Sequence, residues 1–249
     1  MKAIIPAAGY GTRLRPLTSY IPKALIDING RPVIEYVLDK IAELNCVDSL
    51  YIITNNYYYT QFCRWLDALD KKRYDFKIEI INDGTNNENE RLGAIGDKVL
   101  AIREKGLYTD ILDISSDNVF DFSLKPMFEM FKRKKACVVG AYDVGSKELA
   151  KKYGVVAVDD RYRIIGFEEK PAQPKSTLAS TGIYMYTKPI LKLLEEYANE
   201  NHSLDTPGSF IQWLYKRADV YAYPFKGKWY DIGSFECLET ARAELKCEQ

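Results

Sequence analysis

From Ala3 to Ser115 the chain alternates short apolar runs with stretches of helical spacing, and no other feature of its 249 residues restricts the fold as strongly. Ala3–Ile5, Ser49–Thr54, Phe76–Ile81 and Thr109–Ser115 are short β-rich runs. Between them Val33, Ile34, Tyr36, Val37, Ile41 and Leu44 recur at helical spacing behind Pro32, which suits a first helical turn. Thr60–Leu69 and Leu92 to about Lys105 read as two further helices. A strand–helix series of this kind is the sequence form of a parallel sheet with crossover helices. Ligands then bind beyond the carboxyl ends of the strands. The loop after Ile5, the Asn82–Glu90 loop and the turn after Ser115 should therefore meet on one edge.

The second half changes character. Phe122–Arg133 has helical spacing and Ala136–Tyr142 reads as a strand, but Tyr153–Phe167 is two alternating runs around Asp159-Asp160, a hairpin by its period of two. Strands follow at Leu178–Tyr186 and Asp219–Phe225, with helices at Pro189–Tyr197, within Ser203–Ala218, and at Phe235–Glu244. No repeat, linker or low-complexity segment interrupts the chain, so a single domain over 1–249 is expected, whose halves divide near residue 120.

Charge and residue usage narrow the chemistry. Lys plus Arg and Asp plus Glu each total 35, so no net field draws the chain to nucleic acid or to an anionic membrane. No run of about eighteen apolar residues occurs and Met1-Lys2 leads straight into a strand, which points to a cytoplasmic protein without membrane span or signal peptide. Cys46, Cys63, Cys137, Cys237 and Cys247 are odd in number and far apart, as reduced thiols would be. With His202 as the sole histidine, a His-based nucleophilic dyad and a histidine-rich zinc site are disfavoured. Carboxylates, lysines, arginines and a hard metal remain.

The loop after the first strand is Pro6-Ala7-Ala8-Gly9-Tyr10-Gly11-Thr12-Arg13, nearly without side chains at its start. Gly9 and Gly11 can take positive φ and offer bare N–H groups to phosphate oxygens, and Arg13, Arg15 and Lys23 supply positive charge. Leu14 stands where a dinucleotide fingerprint needs its third glycine, and the Gly-Lys-Ser/Thr of a P-loop is absent. Alone, Gly-x-Gly also suits an ordinary tight turn. Farther along, Asp117 follows a strand, where a carboxylate can hold a divalent cation and equally can serve as an N-cap or turn residue.

Taken together, Gly9-x-Gly11-Thr12-Arg13-Leu14, Pro22-Lys23, Leu92-Gly93, Ser116-Asp117-Asn118, Tyr153-Gly154-Val155-Val156, Glu168-Glu169-Lys170-Pro171, Thr181-Gly182-Ile183-Tyr184 and Asp231-x-Gly233-Ser234 resemble, in order, the signatures of the sugar-1-phosphate nucleotidyltransferases, the nucleotide-sugar pyrophosphorylases. The resemblance runs from about Lys2 to Thr240 and implies the short form of that family, with a Rossmann-like α/β fold, a mixed, mostly parallel sheet flanked by helices. It implies that Ala8, Gly9, Gly11, Thr12, Arg13, Asn82, Leu92 and Gly93 bind a nucleoside triphosphate, and that Gly154, Glu169, Lys170 and Gly182 bind a sugar 1-phosphate. Asp117 and Asp231 would bind Mg²⁺, and Arg13, Lys23, Asp117 and Lys170 would act in catalysis. The pairing of Asp117 with Asp231, 114 positions apart, rests on the resemblance alone. Gly93 also suits helix packing, Glu169-Lys170 a solvated turn, and Ile95 stands where the family has alanine.

The implied reaction is attack by the acceptor phosphate on the α-phosphorus, releasing pyrophosphate. An acceptor already ionised needs no general base, in keeping with the scarcity of histidine. Pro6 in Ile-Pro-Ala-Ala-Gly is similar to bacterial UTP–glucose 1-phosphate enzymes and favours UTP or dTTP with glucose 1-phosphate. Two alternatives stay open: a cytidylyltransferase for phosphocholine or a similar alcohol phosphate, for which nineteen tyrosines could build a cation cage, and a noncatalytic nucleotide-sensing subunit. A retaining sugar transferase lacks its Asp-x-Asp motif after the Thr109 strand. A homo-oligomer is compatible with the sequence.

Overall fold

The computed structural model describes residues 1–200 and 202–245; Cys247 lies outside the described residues. The first half lays down β1 (Lys2–Pro6), the ribbon β2 (Asp27–Ile28) and β3 (Arg31–Pro32), α1 (Val33–Ala42), β4 (Ser49–Thr54), α2 (Asn56–Ala68), β5 (Lys77–Asn82), α3 (Gly93–Lys105) and β6 (Ile111–Ile114). The second half continues with β7 (Asn118–Phe120), α4 (Lys125–Lys134), β8 (Cys137–Asp143), α5 (Lys147–Ala150), the hairpin β9 (Gly154–Val158) and β10 (Ile164–Glu169), and β11 (Leu178–Tyr186). It closes with α6 (Lys188–Asn199), α7 (Pro207–Leu214), β12 (Val220–Phe225), β13 (Trp229–Asp231) and α8 (Phe235–Glu244).

One nine-stranded sheet organises these elements in the order β10-β9-β11-β6-β1-β4-β5, with β8 joining β11 to β12. The strands β6, β1, β4 and β5 run parallel, as the alternating first half requires. β11 enters antiparallel beside β6 and carries the second half into the same sheet. Alternate side chains leave opposite faces of each strand. Ile5 and Ile52 therefore pack with Val37, Leu38, Ile41, Tyr58 and Phe62 of α1 and α2, whereas Ile4 and Ile53 pack with Ile102 of α3 and Leu191, Leu194 and Phe210 of α6 and α7. Each face of the sheet is thus covered by helices, which leaves its carboxyl edge as the place for a cleft. Among the described residues no helix is long and apolar enough to cross a membrane.

Two departures from the sequence reading shape the site. α2 begins at Asn56 rather than Thr60 because Asn55 caps it, accepting from the Tyr58 N–H at 2.9 Å. The same side chain donates through Nδ2 to the Ala8 carbonyl at 2.7 Å, so the cap also pins the first loop. The second departure is the small ribbon β7–β13, which pairs Asn118 with Asp231 and Phe120 with Trp229. No local periodicity signals it. It brings the chain's end to the strand-end turn of β6.

Candidate active site

A cleft of about 490 Å³ opens at the carboxyl edge of the sheet. One wall is the first loop, with Ala8, Gly9, Gly11, Thr12 and Arg13; Lys23 stands beside it. Leu92 and Gly93 form the opposite wall, Asp117 comes from the end of β6, and Lys170 reaches in from the second half. The loops expected to meet do meet, because the parallel strands all deliver their carboxyl ends to one side.

The first loop is held from beneath. Gly11 is left-handed, and a Cβ there would meet Thr18 Cγ2 at 2.9 Å. Thr18 in turn donates to the Gly11 carbonyl at 2.8 Å and accepts, through its own carbonyl, from the Tyr58 hydroxyl at 2.5 Å. Part of the tyrosine run at 57–59 is thus a buttress for this loop: Tyr58 is buried, and Tyr57 packs edge-on against it with ring centroids 4.9 Å apart. A Cβ on Gly9 would meet nothing within 4 Å, so its backbone faces open cleft.

At the other end of the cleft the two aspartates converge. The Asp231–Asn118 pairing and the bond from the Ile232 N–H to the Asp117 carbonyl, 2.9 Å, set them side by side. Lys23 Nζ lies between them, 2.5 Å from Asp117 Oδ2 and 3.9 Å from Asp231 Oδ1. Burial and the neighbouring Asp117 push the Asp231 carboxyl up to about 6. Burial also opposes ionisation of Asp117, but Lys23, by charge and hydrogen bond, outweighs it and holds that carboxyl below its ordinary value. Arg13 Nη2 sits 3.7 Å from where a Cβ on Gly233 would lie, at the edge of the same cluster. Two carboxylates around a cation form the hard-oxygen donor set that Mg²⁺ takes, one or two carboxylates with the rest of its shell left to water and phosphate. The residues fit such an ion, with Lys23 now the counter-charge between them.

Asn118 supports this geometry and carried no role in the sequence reading. Its Nδ2 donates to the Thr181 carbonyl at 2.7 Å and its Oδ1 accepts from Trp229 Nε1 at 2.8 Å, tying β11 and β13 to the Asp117 turn. Gly182, at φ +74°, marks a register shift in β11 just there; a Cβ would strike Ser115 Oγ at 2.5 Å. Its close approach is thus to the aspartate turn. Gly154 likewise backs a side chain: a Cβ on it would meet Phe167 at 2.5 Å and Glu169 Oε2 at 3.0 Å. The Glu169 carboxyl rests against Gly208 at the start of α7, beside the cleft residues Thr206 and Pro207, and burial raises it above its ordinary value while Lys170 draws it down. Lys170 itself holds a left-handed φ of 45°, its N–H bonded to the Tyr153 carbonyl at 3.0 Å.

Asn82 and Gly93 are each engaged by the chain itself. Asn82 does not line the cleft: its Nδ2 donates to Asn56 Oδ1 and its Oδ1 accepts from the Gly84 N–H, both at 2.9 Å, so it closes the turn after β5. What approaches Gly93 most closely is the chain's own Leu204, whose carbonyl oxygen lies 2.4 Å from where a Cβ would be. The Ile95 and Ala94 N–H groups donate to the Leu204 and Asp205 carbonyls at 2.9 and 3.4 Å, so this loop caps the amino end of α3. Ile95 points into the core with Ile4 and Ile53 and leaves the cleft unobstructed.

A glycine-rich loop, the cations Arg13, Lys23 and Lys170 and two neighbouring aspartates thus meet on a mixed α/β sheet, and the nucleotidyl transferase family model matches residues 2–248: the chain belongs to that family. Among its relatives it is 32% identical over 235 residues to the bifunctional protein GlmU of Methanocaldococcus jannaschii, covering 94% of this chain and 51% of that protein. It is 31% identical over 259 residues to the glucose-1-phosphate adenylyltransferase of Clostridium novyi, covering 98% of this chain and 66% of that one. The chain thus spans about half to two thirds of these relatives' length. A UDP-glucose pyrophosphorylase solved with UDP-glucose superposes with a TM-score of 0.81 at 26% identity, over 97% of both chains.

Proposed function

We propose that the protein joins a nucleoside triphosphate, UTP or dTTP, to glucose 1-phosphate, giving a nucleotide sugar and pyrophosphate. The observation that carries this reading is the convergence of Lys23, Asp117 and Asp231, with Arg13 alongside, at the end of a cleft floored by the Ala8–Gly11 backbone. An acceptor-phosphate oxygen attacks the α-phosphorus in line; the new P–O bond forms as the α–β bond breaks, and its electrons leave on pyrophosphate. Arg13 neutralises the leaving pyrophosphate, Lys23 steadies charge at the α-phosphate, and Lys170 fixes the acceptor phosphate. Glu169, between Gly154 and Gly208, orients the sugar hydroxyls. Asp117 and Asp231 would hold Mg²⁺, which when bound would supply Lewis-acid polarisation of the phosphate. No side chain needs to remove a proton, since the nucleophile is already anionic.

The similarity to a glucose-1-phosphate adenylyltransferase and to a UDP-glucose pyrophosphorylase supports glucose 1-phosphate as the acceptor and leaves several bases in the test. Pyrophosphate release with Mg²⁺ is measured for each of five nucleoside triphosphates against glucose 1-phosphate and phosphocholine. Release that requires glucose 1-phosphate with UTP or dTTP is the expected result. Release only with phosphocholine would move the protein to alcohol phosphates, and silence across a wider sugar-phosphate panel would make it a noncatalytic nucleotide binder.

A further inference from the structure

Asp97 lines the cleft from α3, is 3% exposed, and among the described residues nothing donates a hydrogen bond to its carboxyl, whose Oδ1 is wholly buried. Buried polar groups are rarely left so. The neighbouring Lys98, which could have paired with it, turns instead to Asp113 at 2.5 Å. The carboxyl is therefore an orphan in the cleft wall, and it must turn about its side-chain bonds for Oδ1 to meet a ligand.

Its place along the cleft says which part of a nucleotide it faces. α3 packs on β1 and β4. The charge outside its own helix that acts on Asp97 is Asp83, at the end of β5, whereas Asp117 follows β6. In the order β6-β1-β4-β5, Asp97 thus looks toward the side of the cleft away from the aspartate pair and its lysine. The lining of the cleft includes the small and apolar residues Ala7, Ala8, Leu92 and Ala94, against which a flat base can pack.

We infer that Asp97 reads the base edge as a protonated acid, donating to a carbonyl of uracil or thymine and accepting from the adjacent N3–H. This rests on the pyrimidine reading above and adds the residue and the proton that serve it. An imide edge alternates acceptor, donor, acceptor, so an ionised carboxylate, which only accepts, would meet one donor flanked by two acceptors. The neutral acid has one donor and one acceptor and matches two of the three. Burial, reinforced by Asp83 and opposed by Lys98, pushes the Asp97 carboxyl up to about 8, so the neutral form prevails at pH 7. The other charges toward the cleft mouth are engaged elsewhere: Arg91 pairs with Glu88 at 3.9 Å and with Asp205 at 3.1 Å.

The test is titration calorimetry of UTP and dTTP, without acceptor, from pH 6.5 to 9, on wild type, Asp97→Asn and Asp97→Ala. Because no turnover is needed, the inference can fail or stand apart from the proposed reaction, which fails only if pyrophosphate is not released. The carboxamide presents the same donor and acceptor as the neutral acid. We expect wild-type Kd to be flat below the acid's pKa and to rise about tenfold per pH unit above it. Asp97→Asn should bind within about threefold of wild type at pH 7 and lose that dependence; ionisation of the base itself at alkaline pH affects all three proteins alike. Asp97→Ala should bind roughly 10- to 100-fold more weakly at every pH. The inference is overturned if Asp97→Ala binds like wild type, or if the wild-type Kd does not change with pH. It also fails if Asp97→Asn is as weak as Asp97→Ala while GTP outbinds UTP, since that pattern marks an ionised carboxylate accepting the two donors of guanine. Should Asp97→Ala not fold, the isosteric Asp97→Asn and the pH series still decide.

Discussion

Replacing Gly208 by alanine should damage acceptor binding without damaging the fold. A Cβ at Gly208 would lie 1.8 Å from Glu169 Oε2 and 3.0 Å from Phe167 Cε1. Glu169 therefore has to retreat by roughly 1.6 Å to regain ordinary van der Waals contact. The side chain has to swing away from α7, toward Gly154, which carries no Cβ to hold it in place. A misplacement of about 1 Å in a positioning group costs on the order of 10²-fold, near 2.7 kcal/mol in transition-state binding. Stability should hardly change. The clashing atom is the end of a flexible side chain, and glycine-to-alanine within a helix by itself contributes about 0.5–1 kcal/mol. For a chain of this size 1 kcal/mol corresponds to roughly 2–4 °C in Tm. The assay is steady-state pyrophosphate release with each substrate varied in turn. We expect kcat/KM for glucose 1-phosphate to fall about 100-fold, KM for the nucleotide to stay within about threefold, and Tm to move by under about 4 °C. An acceptor kcat/KM within threefold of wild type would refute a working role for the Glu169 position, and a Tm loss beyond about 10 °C would show that α7, not Glu169, had moved.

Other perturbations follow from the same geometry. Arg13→Ala and Asp117→Asn should each lower turnover by about 10²–10³ with circular dichroism unchanged, and near-wild-type turnover in either would remove that residue from the mechanism. Chelation by EDTA should abolish pyrophosphate release, and added Mg²⁺ should restore it; release that persists under chelation would separate Asp117 and Asp231 from metal binding. Lys98→Met should destabilise by about 3–5 kcal/mol at pH 7.5, because the pair it breaks is 2% and 1% exposed. Burial already raises the Asp113 carboxyl and Lys98 draws it back, so without Lys98 the native state holds Asp113 protonated. A raised folded-state pKa stabilises at low pH and is lost as pH rises, so the deficit should shrink toward pH 5. Urea unfolding at both pH values checks it, and equal deficits would contradict the assignment.

Which parts of this were legible in the sequence depends on the range of the interaction concerned. Ser49–Thr54, Leu178–Tyr186 and Phe235–Glu244 occupy their expected spans because hydrophobic period is a local property. The four-residue error at the start of α2 arose where a tyrosine run favours strand by composition but Asn55 supplies a cap. The first loop announced itself through its glycines and arginine, since a backbone that must approach a ligand has to dispense with side chains.

Other relations exist only once the chain is folded. Asp117 and Asp231 become neighbours because β13 pairs with β7, a contact that neither segment's pattern encodes. The space for Glu169 is made by a glycine thirty-nine positions away, and Gly93 is small for the sake of Leu204 rather than visibly for a ligand. Asp97 looks like any polar residue on a helix until the crossover of α3 over β1 and β4 buries it with no hydrogen-bond donor among the described residues. Sequence by itself determined the class of sheet, the loop that faces the cleft and the family, because each is written in short-range spacing. The convergence of charges, the glycines that yield to distant side chains and the orphaned acid were decided by tertiary structure alone, since sheet order sets which distant groups share a low-dielectric space.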